Sequence, residues 1–197
     1  MKPRMRKTRL EAFSDGVLAI IITIMVLELK VPHGADPAAL IELLPVFLSY
    51  ALSFIFVGIY WSNHHHLFHV VEQVNGAVLW ANLHLLFWLS LIPFVTGWMG
   101  ENRFAAWPVA AYGCVLLCAA LAYFTLVQTL LRRHGKDSLL AIALGSDFKG
   151  KISIVFYVVA IPLAFYNTWL ACGLYVLVAG IWLVPDLRVE RVLGGKK

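Results

Sequence analysis

Six apolar segments, each carrying few charges, divide the chain almost from end to end. They cover residues 10–29, 40–61, 78–98, 105–131, 152–166 and 169–184. A helix needs about 20 mainly apolar residues to cross the hydrocarbon core of a bilayer. Charged residues make up only 14% of the chain, too few to cover the surface of a soluble protein. The sequence therefore predicts an all-α, polytopic integral membrane protein, with six transmembrane helices in a single unit over residues 1–197.

The last two segments are shorter than the others. A helix of this length reaches only about 23 Å, so the pair could cross a thinned bilayer or form a tight hairpin around Asn167 and Thr168. Pro93 and Pro162 interrupt two of the spans. Membrane helices tolerate proline, so these residues by themselves indicate no particular function.

Lysine and arginine lie almost entirely on one side of the predicted membrane. The chain has 16 of these residues, and only Lys30 and Arg103 fall in the loops of the other side. Because loops rich in lysine and arginine stay in the cytoplasm, both termini are expected there, which requires an even number of spans. The net charge of +5 has the same explanation. We therefore expect a protein of the cell (plasma) membrane with no nucleic-acid partner.

No sequence pattern typical of an enzyme is present. The three cysteines, Cys114, Cys118 and Cys172, lie within apolar segments and imply neither a disulfide framework nor a metal site. The chain lacks a phosphate-binding loop, an H-E-x-x-H helix and a G-x-S-x-G turn. It also lacks the T-V-G-Y-G filter of standard potassium channels. We expect no catalytic activity, no cofactor and no bound metal.

The first span has one continuous apolar face. At about 100° per residue, Ile24 and Leu27 each fall within about 40° of Ile20 on a helix, and Thr23 lies beside them. The face is thus a stripe of branched apolar side chains that carries a single hydroxyl group. The helix predicted over residues 10–29 is labelled α1, and we call these four residues the α1 stripe.

Ser14 and Asp15 place polar groups near one end of the same span. Asp15 falls about 140° from Ile20 around the helix, so we expect the polar pair to point into the subunit. Partners at the same depth are expected from the second and third spans, in a hydrogen-bonded cluster that joins the first three helices. The candidates are Trp61, Ser62, Asn63, His64, His65, His66, Asn82 and His84.

The histidine run at residues 64–66, together with His69, admits other interpretations. Imidazole binds zinc and copper, so a membrane-embedded metalloenzyme is one alternative. Consecutive histidines splay around a helix, however, and no cysteine or carboxylate accompanies them at the spacing of a metal site. We favour packing and hydrogen bonding, with pH sensing as a further alternative.

The segment Arg9-x-x-x-Phe13-Ser14-Asp15, followed by residues 16–20, resembles the signature of the transmembrane protein 175 family of lysosomal potassium channels. The similarity continues in residues 26–32, the pattern Trp61-x-x-His64-His65, the region of Asn82, and residues 91–93. It is specific over the first three spans, and beyond Trp98 it rests on topology and length.

The resemblance implies a homotetramer of six-helix subunits, typical of prokaryotic members, in which the first helix of each subunit lines a central pore. By position, Ile20 would form a narrow hydrophobic ring, Ile24 and Leu27 would continue the lining, and Thr23 would supply a hydroxyl ring associated with potassium preference. The residues that would brace the pore helix against the next two helices are Arg9, Phe13, Ser14, Asp15, Trp61, His64, His65 and Asn82.

The sequence is therefore interpreted as a passive, potassium-selective channel. Its expected partners are other copies of itself, membrane lipid and the permeating potassium ion. A proton-coupled secondary transporter, a proton-leak channel and a structural membrane protein without transport remain alternatives.

Overall fold

The computed structural model describes residues 7–71, 74–134 and 148–183, and most of these residues are helical. The helices are α1 (Lys7–Leu27), α2 (Pro37–Glu42), α3 (Leu44–His69), α4 (Gly76–Ser90), α5 (Ile92–Glu101), α6 (Ala106–His134), α7 (Phe148–Tyr166) and α8 (Thr168–Leu183). Five spans are long and apolar enough to cross a membrane, with α4 and α5 together forming one, and α8 is a shorter apolar helix. The predicted all-α fold with six membrane helices is confirmed.

Several predicted boundaries were wrong. Helix α3 continues beyond Trp61 to His69, because Leu67 and Phe68 in its last turns are buried in the core. Helix α7 begins at Phe148 and has 19 residues, so it needs no thinned bilayer. Its first turn was missed because the flanking lysines lower the local hydropathy. The short helix α2, which begins directly after Asp36, was not predicted at all.

The third predicted span is two helices that meet at Leu91. Pro93 lies in the first turn of α5, where a missing backbone N–H costs no hydrogen bond. The other proline, Pro162, lies inside α7 without ending it. The two prolines therefore have different effects, although both occur in apolar runs.

Helix α1 lies at the edge of the subunit, packed against α3, α4 and α5. Helix α6 contacts α4, α5, α7 and α8, and so holds the rest of the bundle together. One ridge of α1 is buried, and it is formed by Leu10, Ser14, Leu18, Ile21 and Met25. The spacing of three or four residues keeps this ridge on one face. The opposite face of α1 is left uncovered by the chain's own helices.

Gly100 marks the closest approach of α5 to α3. A Cβ atom at this position would lie 2.8 Å from the Val46 Cα and 2.5 Å from the Ser49 Oγ. The first of these neighbours is backbone and cannot move aside without shifting α3. Small residues at such crossings let membrane helices pack closely.

We expect Gly100→Ala to lower the free energy of unfolding by about 1–2 kcal/mol, because the added methyl group forces α3 and α5 apart. Thermal unfolding of the purified protein in detergent measures the change. Gly97→Ala is the matched control, since the same helix has nothing within 4 Å of a Cβ there. Equal melting temperatures for the two variants would contradict the close-packing interpretation.

Many of the basic residues behind the predicted orientation lie outside the described part of the chain, as do Val184 and the residues after it. The cytoplasmic location of both termini therefore stays a prediction.

Candidate functional site

The α1 stripe lies on the uncovered face of the first helix. In the single chain, the side chains of Ile20, Ile24 and Leu27 are 58%, 43% and 76% exposed. Thr23 lies beside them and is also exposed. Lipid or another subunit must cover such a surface. Gly16, one turn before Ile20, is exposed as well, and no neighbouring atom lies within 4 Å of where its Cβ would be.

The Thr23 hydroxyl is already bonded within its own helix. Its Oγ1 donates to the Ala19 carbonyl oxygen at 2.9 Å. The hydrogen is thereby occupied, and the oxygen presents its lone pairs to the exposed side. Oxygen lone pairs are the groups that replace the hydration shell of a potassium ion in a selective pore. Thr23 thus offers an acceptor on an otherwise apolar stripe.

A buried chain of hydrogen bonds joins α1, α3 and α4. Asn82 Nδ2 donates to Ser14 Oγ at 2.9 Å, and Ser14 Oγ donates to the Leu10 carbonyl at 2.9 Å. His64 Nε2 lies 2.8 Å from Asn82 Oδ1. Because an amide oxygen can only accept, the hydrogen of this bond sits on His64 Nε2. Ser14, His64 and Asn82 are each at most 3% exposed, so these bonds are shielded from solvent.

Asp15 lies outside this cluster. The expectation that both polar residues point inward was wrong for Asp15, which is exposed, and right for Ser14. One residue turns a helix by about 100°, so a ridge centred on Ser14 leaves Asp15 at its flank. There the Trp61 Nε1 donates to Asp15 Oδ1 at 3.1 Å. The His65 ring stacks on Trp61 with centroids 6.1 Å apart. The predicted bracing residues thus form a buried group and an exposed group.

Other predicted members do not join either group. Arg9 and Phe13 are exposed, and Phe13, at 55%, lies on the same side of α1 as Ile20. Within the subunit these two side chains are therefore exposed, and they are not buried between α1 and the next two spans. Asn63 and His84 bond within their own helices: Asn63 Nδ2 donates to the Ile59 carbonyl, and Trp88 Nε1 donates to His84 Nε2.

Among the described residues, no three His, Cys, Asp or Glu side chains come together in a way that could hold a metal ion. The histidine side chains instead point in different directions around the helix. His64 faces the core, whereas His65 and His66 face outward, where their rings meet edge to face at 5.7 Å.

An ion pair near the other end of α1 was not anticipated. Lys30 Nζ donates to Glu101 Oε1 at 2.6 Å, which ties the residues after α1 to the end of α5. The hydrogen bond and charge of Glu101 raise the pKa of Lys30 above its usual value. The pair is exposed, so it contributes little to stability. The sequence does hold a signal for this pair. Lys30 and Glu101 carry opposite charges and lie at the ends of spans on the same predicted side of the membrane.

A polytopic helical bundle that leaves a long, mainly apolar face of its first helix uncovered belongs to the class of multi-pass membrane proteins, and lipid or another subunit is available to cover that face. The chain belongs to the TMEM175 family. The family described as endosomal/lysosomal potassium channel TMEM175 matches residues 9–93. A potassium channel from Chryseobacterium sp. (strain P1-3) is 59% identical over 189 residues, which cover 96% of this chain and 98% of that protein.

A solved structure and a vertebrate relative extend the comparison. The crystal structure of a lysosomal potassium-selective channel TMEM175 homolog from Chamaesiphon minutus superimposes with a TM-score of 0.77 at 29% identity. It covers 90% of this chain and 96% of its own. The endosomal/lysosomal proton channel TMEM175 of Homo sapiens is 39% identical over 94 residues, 41% of this chain and 19% of that protein. The family resemblance drawn from the signature residues is confirmed.

Proposed function

We propose that this chain is the subunit of a passive, potassium-selective channel in the plasma membrane, without enzyme activity or cofactor. The observation that carries the proposal is the exposed α1 stripe, an apolar surface interrupted by one outward-facing hydroxyl oxygen. The relatives that match nearly the whole chain are named potassium channels, which supports the same function.

The pore requires several copies of the chain, because one helix face encloses nothing. Four subunits arranged around an axis would bring four α1 stripes together, in the closed rotational symmetry that homo-oligomers usually adopt. This homotetramer covers Ile20 and Leu27, which a single chain leaves more than half exposed. Phe13 and Arg9, on the same side of α1, would then contact neighbouring subunits or line the pore entrance.

The four Ile20 side chains would form the narrowest ring. A hydrophobic constriction can exclude water and thereby block ions without any moving plug. Ile24 and Leu27 would line the pore beyond it on one side. The buried Ser14, Asn82 and His64 would hold α1 at a fixed rotation, and the contact of Asp15 with Trp61 would support it at the surface.

Thr23→Ala is expected to weaken the preference for potassium over sodium by about tenfold or less, since it removes one ring of oxygen ligands from the pore. Reversal potentials of reconstituted protein under potassium–sodium gradients measure the change. Thr23→Ser keeps the hydroxyl and is the matched control, with selectivity near that of the native chain. Identical reversal potentials for all three proteins would remove Thr23 from the selectivity mechanism.

A potassium-gradient flux assay in liposomes tests the function itself. The native protein is expected to dissipate the gradient without added protons or a second solute, and planar bilayers should show single-channel current steps. Cross-linking on the same preparation should give species up to four chains. Saturable flux that depends on a proton gradient would instead identify a transporter.

Proton conduction is a second candidate, because the human relative is named a proton channel. A pH-sensitive dye inside the same liposomes distinguishes the two. With potassium held equal on both sides, acidification of the lumen would establish proton permeation through this chain. A stable internal pH, in a preparation that passes potassium in the gradient assay, would exclude it.

A further inference from the structure

A second candidate site lies away from the α1 stripe. A cavity with about 520 Å³ of empty space, including its mouth, opens between α3, α6, α7 and α8. Of its twelve described lining residues none carries a formal charge, and six are aromatic: Phe56, Tyr60, Tyr123, Phe124, Tyr157 and Trp182. Sites for small organic molecules are usually concave and lined mainly by apolar and aromatic side chains, as this cavity is.

Two tyrosine hydroxyls in the cavity have no hydrogen-bond partner among the residues that the structure describes. Tyr157 is 2% exposed and lines the cavity, yet no described residue accepts or donates a hydrogen bond to its hydroxyl. Tyr60, which is half-buried, also lines the cavity and has no such bond with a described residue. Buried tyrosine hydroxyls usually find a partner. In this bundle the core tyrosines away from the cavity do: the Tyr112 hydroxyl lies 3.0 Å from Ser53 Oγ, and the Tyr175 hydroxyl donates to the Val109 carbonyl.

The remaining polar groups of the wall are already bonded. Trp182 Nε1 donates to Ser153 Oγ at 2.9 Å, and Ser153 Oγ donates to the Lys149 carbonyl at 2.7 Å. Asn63 Nδ2 is bonded to the Ile59 carbonyl. The two tyrosine hydroxyls are therefore donors that this aromatic cavity offers to a guest, beside the second N–H of the Asn63 amide.

We propose that this cavity binds an uncharged, planar aromatic compound that carries a hydrogen-bond acceptor such as a carbonyl, and that reaches it from the membrane. A charged group would enter without a counter-ion, at high cost. The aromatic walls favour a flat ring, which packs against them in offset or edge-on geometry. A lipid acyl chain could fill the space but would leave both hydroxyls unsatisfied, whereas a ring carbonyl accepts from them.

Two probes of nearly equal shape separate these possibilities. 1-Acetylnaphthalene carries the carbonyl, and 1-ethylnaphthalene has a methylene group in its place. Equilibrium dialysis against the full chain in detergent, with protein-free micelles as the baseline, gives both affinities. We expect the ketone to bind about threefold to tenfold more tightly, the difference that one or two hydrogen bonds produce. Equal affinities for the two probes would overturn the proposal.

Variants locate the interaction. Tyr157→Phe combined with Tyr60→Phe should bring the ketone down to the affinity of the ethyl compound, while Tyr166→Phe should change nothing, because Tyr166 is 87% exposed on the same helix. Ala120→Phe, which fills the cavity, should abolish binding of both probes. The neighbouring Leu121 points outward, so Leu121→Phe should leave the binding of both probes unchanged. An unchanged preference for the ketone in the double tyrosine variant would also overturn the proposal. None of these measurements depends on potassium conduction.

Discussion

Ile20→Asn is expected to raise potassium flux through the reconstituted protein by at least about tenfold, a change that corresponds to about 1.4 kcal/mol of barrier height. In the proposed pore, four isoleucine side chains meet at the narrowest ring and exclude water. An amide of similar size hydrogen-bonds water, so the ring stays hydrated and the barrier for a partly hydrated cation falls. Gradient-driven flux in liposomes, normalised to the amount of inserted protein, measures the effect.

The matched control introduces an asparagine at an exposed apolar position away from the α1 stripe. Val158 is 52% exposed on α7, a helix that does not contribute to the α1 stripe. Val158→Asn should leave the flux at the native value. If Ile20→Asn conducts like the native protein while remaining tetrameric, the hydrophobic constriction is not at Ile20.

Asn82→Leu is expected to lower the free energy of unfolding by about 2–3 kcal/mol, a large change for a single membrane-protein side chain. The substitution removes the bonds from Asn82 to Ser14 and to His64. Ser14 keeps its bond to the Leu10 carbonyl, but His64 is left buried without an acceptor. Thermal unfolding in detergent and the yield of cross-linked oligomers measure the loss.

Two further variants test whether the hydrogen bonds among Ser14, His64 and Asn82 account for the loss of stability. Asn102→Leu removes an exposed asparagine whose side chain bonds the Trp98 carbonyl, and it should cost much less. His64→Leu combined with Asn82→Leu removes the stranded imidazole and should recover part of the stability, since apolar replacement of both partners is tolerated. A double variant that is less stable than Asn82→Leu alone would contradict this explanation.

The apolar pattern predicted the six-helix fold because the bilayer requires long apolar helices whatever their packing. It did not predict the ends of α3 and α7, where a few polar residues lower the hydropathy of turns that are nevertheless helical. Helix continuation there depends on tertiary burial of residues such as Leu67 and Phe68, which hydropathy alone does not report.

The candidate site was predictable where helical periodicity decides the outcome. The angular spacing of Ile20, Thr23 and Leu27 put them on one face, and that face is uncovered. Asp15 shows the limit of a prediction from periodicity. Its angle from the α1 stripe was known, but that angle does not tell which residues lie at the centre of the buried face of α1. The cavity beside Tyr157 was not predictable, because a gap between helices depends on how the bundle packs in three dimensions.

The Thr23 hydroxyl finds its partner one turn back in its own helix, at the Ala19 carbonyl. Its donor is therefore satisfied even when fatty acyl tails surround an isolated protomer. For the proposed tetramer, insertion into the bilayer and later association of protomers can thus proceed as separate stages, and an unassembled copy does not carry a stranded hydroxyl proton at that position. A protomer of that tetramer can wait in the membrane until its neighbours are synthesised.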